Sequence, residues 1–379
     1  MSALARTDTS TLGRWWWTVD RWTLAVLILL IVTGMILSVT ASPPVATRLD
    51  LDPFHFVRRH MLLLLPAVAV LFAVSLLSPR GVRRLALITF IAAVTLLTAT
   101  IAAGPEIKGA NRWISLAGFT LQPSEFVKPA FAVVAAWMFA EHHRSRRAQQ
   151  VPFPGNALAT LLYLAVFVLL LMQPDLGMAF VVSVVWYTQF CVAGLSLGWV
   201  GVFAVLGLAV LFGAYMVFPH VASRVDRFLD PASGDSYQID RALEAFRNGG
   251  LLGRGPGEGT VKQHIPDAHA DFVFAVAGEE FGLVACLAIV GLFAFVVLRG
   301  FGRLLEESNP FVALAACGLL VQFGVQALIN LASTVQLIPT KGMTLPFLSY
   351  GGSSLLALSL GMGMFLALTR HRAQLGDRP

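Results

Sequence analysis

Long, nearly unbroken apolar runs, separated by short polar connections, set the pattern of this chain. Ten of them, near 22–41, 61–78, 85–103, 124–140, 157–173, 176–194, 197–218, 273–298, 309–330 and 351–369, approach the roughly 20 residues that carry a helix across a bilayer. Polar residues gather in three longer segments, 104–128, 219–271 and 331–353. The pattern predicts an all-α membrane protein. It is a polytopic bundle of about ten transmembrane helices with a large extracytoplasmic loop, 219–271, between the seventh and eighth. Residues 22–370 form one transmembrane domain, flanked by cytoplasmic tails at 1–21 and 371–379. Within the large loop, Ile239, Ala242, Leu243 and Phe246 follow helical spacing from near Ser236 until Gly249 and Gly250 stop them, which predicts an amphipathic helix on the membrane surface.

Composition agrees. Charged residues are 13% of the chain, about half the soluble norm, and the mean hydropathy is +0.75. The basic residues orient the bundle. With both termini inside, the cytoplasmic side holds Arg14, Arg21, Arg80, Arg83, Arg84, Arg144, Arg146, Arg147, Arg299, Arg303, Arg370 and Arg372, while short outer connections hold fewer. Arg58 and Arg59 run against the trend. The net charge of +6 is therefore a matter of topology, and no nucleic-acid partner is expected. The cluster from His142 to Arg147 reads as a stop-transfer anchor, and Trp15, Trp16, Trp17 and Trp22 as an interfacial belt. The first apolar run is long enough to span and lacks a small-residue cleavage site, so no cleavable signal is expected. Cys191, Cys286 and Cys317 lack metal-ligand spacing and read as small buried side chains.

Candidate chemistry lies on the outer side. The stretch from Ile265 to Gly282, IPDAHADFVFAVAGEEFG, carries His269 and Asp271 into an apolar helix with Glu279 and Glu280 further along. Charged groups in a membrane helix cost a few kcal/mol each, so they point to function. Asp271 is either a reactive carboxylate or a helix N-cap. Lys108, Asn111 and Arg112 gather cationic and amide donors suited to phosphate. Ser124 suits a helix cap, Glu125 follows in the first turn, and Lys128 lies one turn into the membrane, spaced to pair with Glu125. Gln173-Pro174-Asp175-Leu176-Gly177 reads first as a tight turn. The glycine-rich stretch around Arg254 could offer backbone N–H groups to a phosphate, although it is no P-loop. Ser353 or Ser354 would cap the last helix, whose N-terminus is a ready anion site. A zinc site at His264, Asp267, His269 and Asp271 matches no known spacing; a hard divalent cation shared with a pyrophosphate is the better metal reading.

Taken together, KGANRWI, QPSEFVKP, QPDLG, GRGPGEG, IPDAHADF, GEEFG and PTKGMTLPFLSYGGSS resemble the SEDS family, the bacterial shape, elongation, division and sporulation proteins. The likeness runs from about residue 20 to 372, and PTKG followed by TLPF is more similar to the division branch than to the elongation branch. Asp267 and Ala270 stand where the family more often has Glu and Thr. The resemblance implies an inverting peptidoglycan glycosyltransferase that polymerises lipid II, a disaccharide-peptide on a polyprenyl pyrophosphate, during septal wall synthesis. It implies Asp271 as the essential carboxylate and Glu279 as a second acid. Lys108, Asn111, Arg112, Glu125, Lys128, Gln173, Asp175, Arg254, Lys262, His269, Lys341, Ser349 and Ser353 would form the substrate site. Holding a divalent cation, Mg2+ or Mn2+, is the alternative role for Asp271; no organic cofactor is expected. The implied setting is the bacterial inner membrane at the septum, among membrane lipids, a class B penicillin-binding protein transpeptidase and other divisome membrane proteins. Two rival readings are a lipid II flippase with Lys128, Glu279 and Glu280 along a polar path, and a non-catalytic divisome scaffold.

Overall fold

The structure, a computed structural model, describes residues 10–105, 111–116, 119–148, 153–194, 197–230 and 237–370. A helix lies on each of the ten apolar runs. They are α2 (Arg21–Arg48), α3 (His55–Ser75), α4 (Pro79–Ala103), α5 (Pro123–Arg147), α6 (Gly155–Met172), α7 (Leu176–Val192), α8 (Leu197–Val217), α11 (Val273–Leu304), α12 (Pro310–Thr334) and α13 (Gly352–Leu368). Seven are long and apolar enough to cross a membrane. Helix α5 is less apolar than these seven, and α7 and α13 are 17 residues long.

The remaining elements are polar or short. Helix α1 (Thr11–Thr18) precedes the bundle, and the Trp15 indole donates to Ser75 Oγ at 2.9 Å, so one of the predicted belt tryptophans is a buried anchor instead. Strands β1 (Ile114–Leu116) and β2 (Phe119–Leu121) pair antiparallel, Ser115 opposite Thr120. Helices α9 (Pro219–Leu229) and α10 (Tyr237–Gly249) and a 3₁₀ turn (Val261–His264) fill the large loop. Helix α10 packs its expected apolar face on protein. Ala242 and Ala245 are fully buried, and Phe246 meets Phe274 edge-on at 5.6 Å, so its apolar face is spent on α11.

Helices α5 and α12 are the centre of the bundle. An 18-residue window of α12 is 72% buried, against 6% for α8, which stands at the periphery. Gln189 of α7 ties the centre together: its Nε2 donates to Ala132 O of α5 and Leu314 O of α12. Such bonds satisfy a polar group where lipid offers no partner. On the other side, α13 packs along α3 and α5.

Candidate active site at a bent helix

Helix α11 is two helices joined at Gly282, whose φ of 76° and ψ of −175° belong to glycine alone. The bend breaks the helical ladder, and the loop after α10 repairs it. Arg254 and Gly255 donate their N–H groups to the carbonyls of Glu279 and Glu280, while Leu283 and Val284 donate to Gly250 and Leu251. The glycine-rich stretch expected to cradle a phosphate therefore spends these amides on the bent helix. Arg254 binds Asn248 through its guanidinium and holds that loop.

The segment before the bend is buried on all sides. Glu279, with no exposed surface, accepts at Oε1 from the N–H groups of Thr260 and Val261 and from the Asn248 amide, each at 2.8 Å. Its Oε2 accepts from Lys262 N, also at 2.8 Å. Four donors on one carboxylate offset its burial. Beside it, Glu280 is ion-paired with buried Lys262, whose Nζ also donates to Thr40 O at 3.1 Å. The pair is enclosed, so Lys262 does not face the outer surface as a substrate-site residue would.

Asp271 enters from the preceding turn. The N-cap position of α11 is held by Phe272, and no side chain caps it, so Asp271 is not the cap that its position suggested. Its backbone carbonyl accepts from Asn330 Nδ2 at 2.9 Å, and the same amide donates to Met343 O at 2.6 Å. Asn330 thereby fastens the Asp271 turn to the loop after α12. Its carboxylate lies against Gly342: a β-carbon there would be 2.8 Å from Oδ2. Two residues back, His269 stacks on Phe56 with centroids 4.5 Å apart and lies 5.2 Å from the Tyr350 ring. Burial pushes its imidazole down to about 4; Asp267 opposes that, while Arg48 and His60 reinforce it.

A second group surrounds Asp175, which caps α7 through the Met178 amide. Lys341 Nζ lies 3.5 Å and Arg112 4.0 Å from its carboxylate. Arg112 also donates to the carbonyls of Gln173 and Pro174, and Gln173 Nε2 donates to Asn111 O at 3.0 Å and to Thr100. The predicted turn is thus also the floor under two cations. The stem of Lys341 crosses Gly177, and burial lowers its ammonium pKa, an effect that Asp175 opposes.

Several expected ligands lie elsewhere. Lys128 is 1% exposed, paired with Glu125 at 2.8 Å and with Gln326 Oε1 at 2.9 Å, so it supports the bundle beneath the outer loops. Gln326 continues that network to Thr344. Ser353 Oγ accepts from Gln122 N and donates to Thr120 O, pinning the hairpin to α13, and Ser349 accepts from Leu345 N. The cap of α13 is Gly351, not a serine, and that of α5 is Gln122, not Ser124. Lys108 falls outside the described residues. Asn330 and Gln326 were missed, because an amide inside an apolar run carries no sequence signal of its partner. Among the described residues no group of three or more His, Cys, Asp and Glu could hold a metal.

Comparison with known proteins shows what the chain as a whole is similar to. The profile of the FtsW/RodA/SpoVE family, described as cell cycle protein, matches residues 20–374. A probable peptidoglycan glycosyltransferase FtsW of Caulobacter vibrioides is 47% identical over 371 residues, 98% of this chain and 94% of that protein. One from Aliivibrio salmonicida is 33% identical over 95% of this chain and 91% of its own. Among solved structures, a chain of a peptidoglycan synthase complex that coordinates polymerization and crosslinking superposes with a TM-score of 0.75 at 29% identity, covering 93% of this chain and 97% of that one. The rod shape determining protein RodA of Thermus thermophilus gives 0.66 at 27% identity over the same shares.

Proposed function

Because the chain belongs to the FtsW/RodA/SpoVE family of cell cycle proteins, we propose that it is a peptidoglycan glycosyltransferase that polymerises lipid II at the division septum. The observation that carries the site assignment is the placing of Asp271: its carboxylate faces Gly342, the residue next to Lys341. In the reaction, a sugar hydroxyl of one chain end attacks the anomeric carbon of the other substrate. Asp271 accepts the hydroxyl proton as the new C–O bond forms. The bond to the pyrophosphate breaks with its electron pair moving onto the phosphate oxygen, and configuration inverts. Lys341 and Arg112 stabilise the charge that develops there. A divalent cation, where the pyrophosphate brings one, would add to that stabilisation.

The buried ion pairs speak against the flippase reading. Lys128, Glu280 and Glu279 are enclosed and paired with Glu125, Lys262 and the 260–262 backbone, so they do not line an open polar path. The protein is read as an inner-membrane polymerase with both termini cytoplasmic and 219–271 outside, working beside a class B penicillin-binding protein; the likeness to a synthase complex supports that pairing. Polymerisation of labelled lipid II by purified protein, with and without the transpeptidase, tests the proposal. Glycan strands from the wild type and at least about a hundredfold fewer, the lower bound for losing a general base, from Asp271→Asn are expected. Movement of lipid II across a sealed bilayer with no strands formed would overturn it.

A further inference from the structure

At the far end of the bundle from Asp271, a groove of about 290 Å³ opens between α4 and α5. Arg80, Arg83, Arg84, Leu87 and Trp137 line it. Arg83 is fixed there. Its guanidinium lies 4.7 Å from the Phe311 ring and 5.6 Å from the Trp137 ring, and its Nε is buried without a hydrogen-bond partner. Glu141 is the acid that faces Arg83, while Arg80 and Arg144 add like charge, so the groove keeps a positive excess. The arginines also sit in the first turns of α4, where the helix dipole is already positive. Among the described residues one carboxylate, Glu141, faces three or more arginines, and an anion would offset the remainder.

The groove continues into an apolar track. Arg84, Leu87, Ile88 and Ile91 share one face of α4 by helical spacing, and Ile88 and Ile91 are 66% and 58% exposed. A phosphate bound by the arginines would have this track directly above it. From these observations we infer that the groove is a binding site for an anionic phospholipid. Its phosphate is held by Arg83 and Arg84, its headgroup rests against Trp137, and an acyl chain lies along Ile88 and Ile91. A soluble phosphate would use the cations and leave the track unused. An acidic peptide would have no reason to require it.

The test uses full-length protein in detergent, followed by native mass spectrometry and thermal unfolding with defined lipids. Phosphatidylglycerol is expected to stay bound through dilution and to raise the unfolding temperature, whereas phosphatidylcholine does neither. Arg83→Gln with Arg84→Gln should weaken phosphatidylglycerol binding about tenfold or more. Arg146→Gln with Arg147→Gln, which removes the same charge from the exposed end of α5 outside the groove, should leave binding intact and so controls for charge alone. Ile88→Asn with Ile91→Asn, which keeps every arginine, should weaken it too. Equal losses from the two arginine pairs would reduce the site to a general basic surface and overturn the inference. So would binding of inorganic phosphate or a poly-glutamate peptide as tight as that of the lipid.

Discussion

Gly342 lets the Asp271 carboxylate stand where it does: a β-carbon at that position would come within 2.8 Å of Oδ2 and push the carboxylate aside. The loop after α12 is therefore shaped around the carboxylate, and Asn330 holds both backbones in register. Asp271→Asn is expected to lower polymerisation by about 10²–10⁴-fold, the range a general base contributes, while the protein still folds and inserts. Gly342→Ala should displace the carboxylate and lower turnover with unchanged lipid II affinity. Full activity of Asp271→Asn in the lipid II assay would dismiss the role.

The three outer cations divide by burial. Lys341 and Arg112 are partly exposed at Asp175, and Lys128 is enclosed. Glutamine at 341 or 112 should raise KM or lower turnover with little change in unfolding temperature. Lys128→Gln leaves Glu125 buried without its cation, and breaking such a pair typically costs about 3–5 kcal/mol. Thermal unfolding beside steady-state kinetics separates the two behaviours, and a stable Lys128→Gln variant with only a raised KM would reverse the assignment.

Glu279 should act through the loop. In Glu279→Gln one carboxylate oxygen becomes an NH₂ that faces a backbone N–H, which strands buried donors at about 1–3 kcal/mol. Hydrogen exchange at residues 260–262 should quicken, and activity should fall less than in Asp271→Asn. Unchanged exchange there would mean that the clamp is unimportant.

His269 makes stability pH-dependent. Its folded pKa, about 4, lies below the ordinary value of 6.5. Between these values the unfolded chain binds more protons than the folded one, so stability is full above about pH 6.5 and declines as pH falls towards 4. His269→Phe, which preserves the stack on Phe56, should flatten the unfolding temperature across that window. An identical pH profile in the variant would show that His269 is not the group responsible.

Topology is checked at Leu252, 81% exposed at the tip of the loop beside α11. A cysteine there should react with an impermeant thiol reagent added outside spheroplasts, in a background lacking Cys191, Cys286 and Cys317. Labelling only after lysis would invert the proposed orientation.

Hydropathy made the ten helices legible because lipid demands apolar length whatever the tertiary packing. It also marked Asp271 and Glu279, since carboxylates beside an apolar run stand out. Their division of labour was not legible. Glu279 receives donors from residues 248 and 260–262, and Asp271 is framed by residues 330 and 342, contacts that depend on how distant segments meet. Lys128 looked like a phosphate ligand because charge, not burial, is what a sequence displays. The glycines around Arg254 were visible as a source of backbone N–H groups, yet their partner, a helix bent at Gly282, was not.

That bend also constrains how the protein is made. Until the loop of residues 249–255 arrives, bending at Gly282 would strand the Glu279 and Glu280 carbonyls and the Leu283 and Val284 amides against hydrocarbon, at several kcal/mol per group. During insertion the straight helix is thus the lower-energy form, and bending belongs to the end of maturation. With α11 straight, the bonds that tie residues 250–255 to residues 279–284 are unmade, so the loop and the bend form together or not at all.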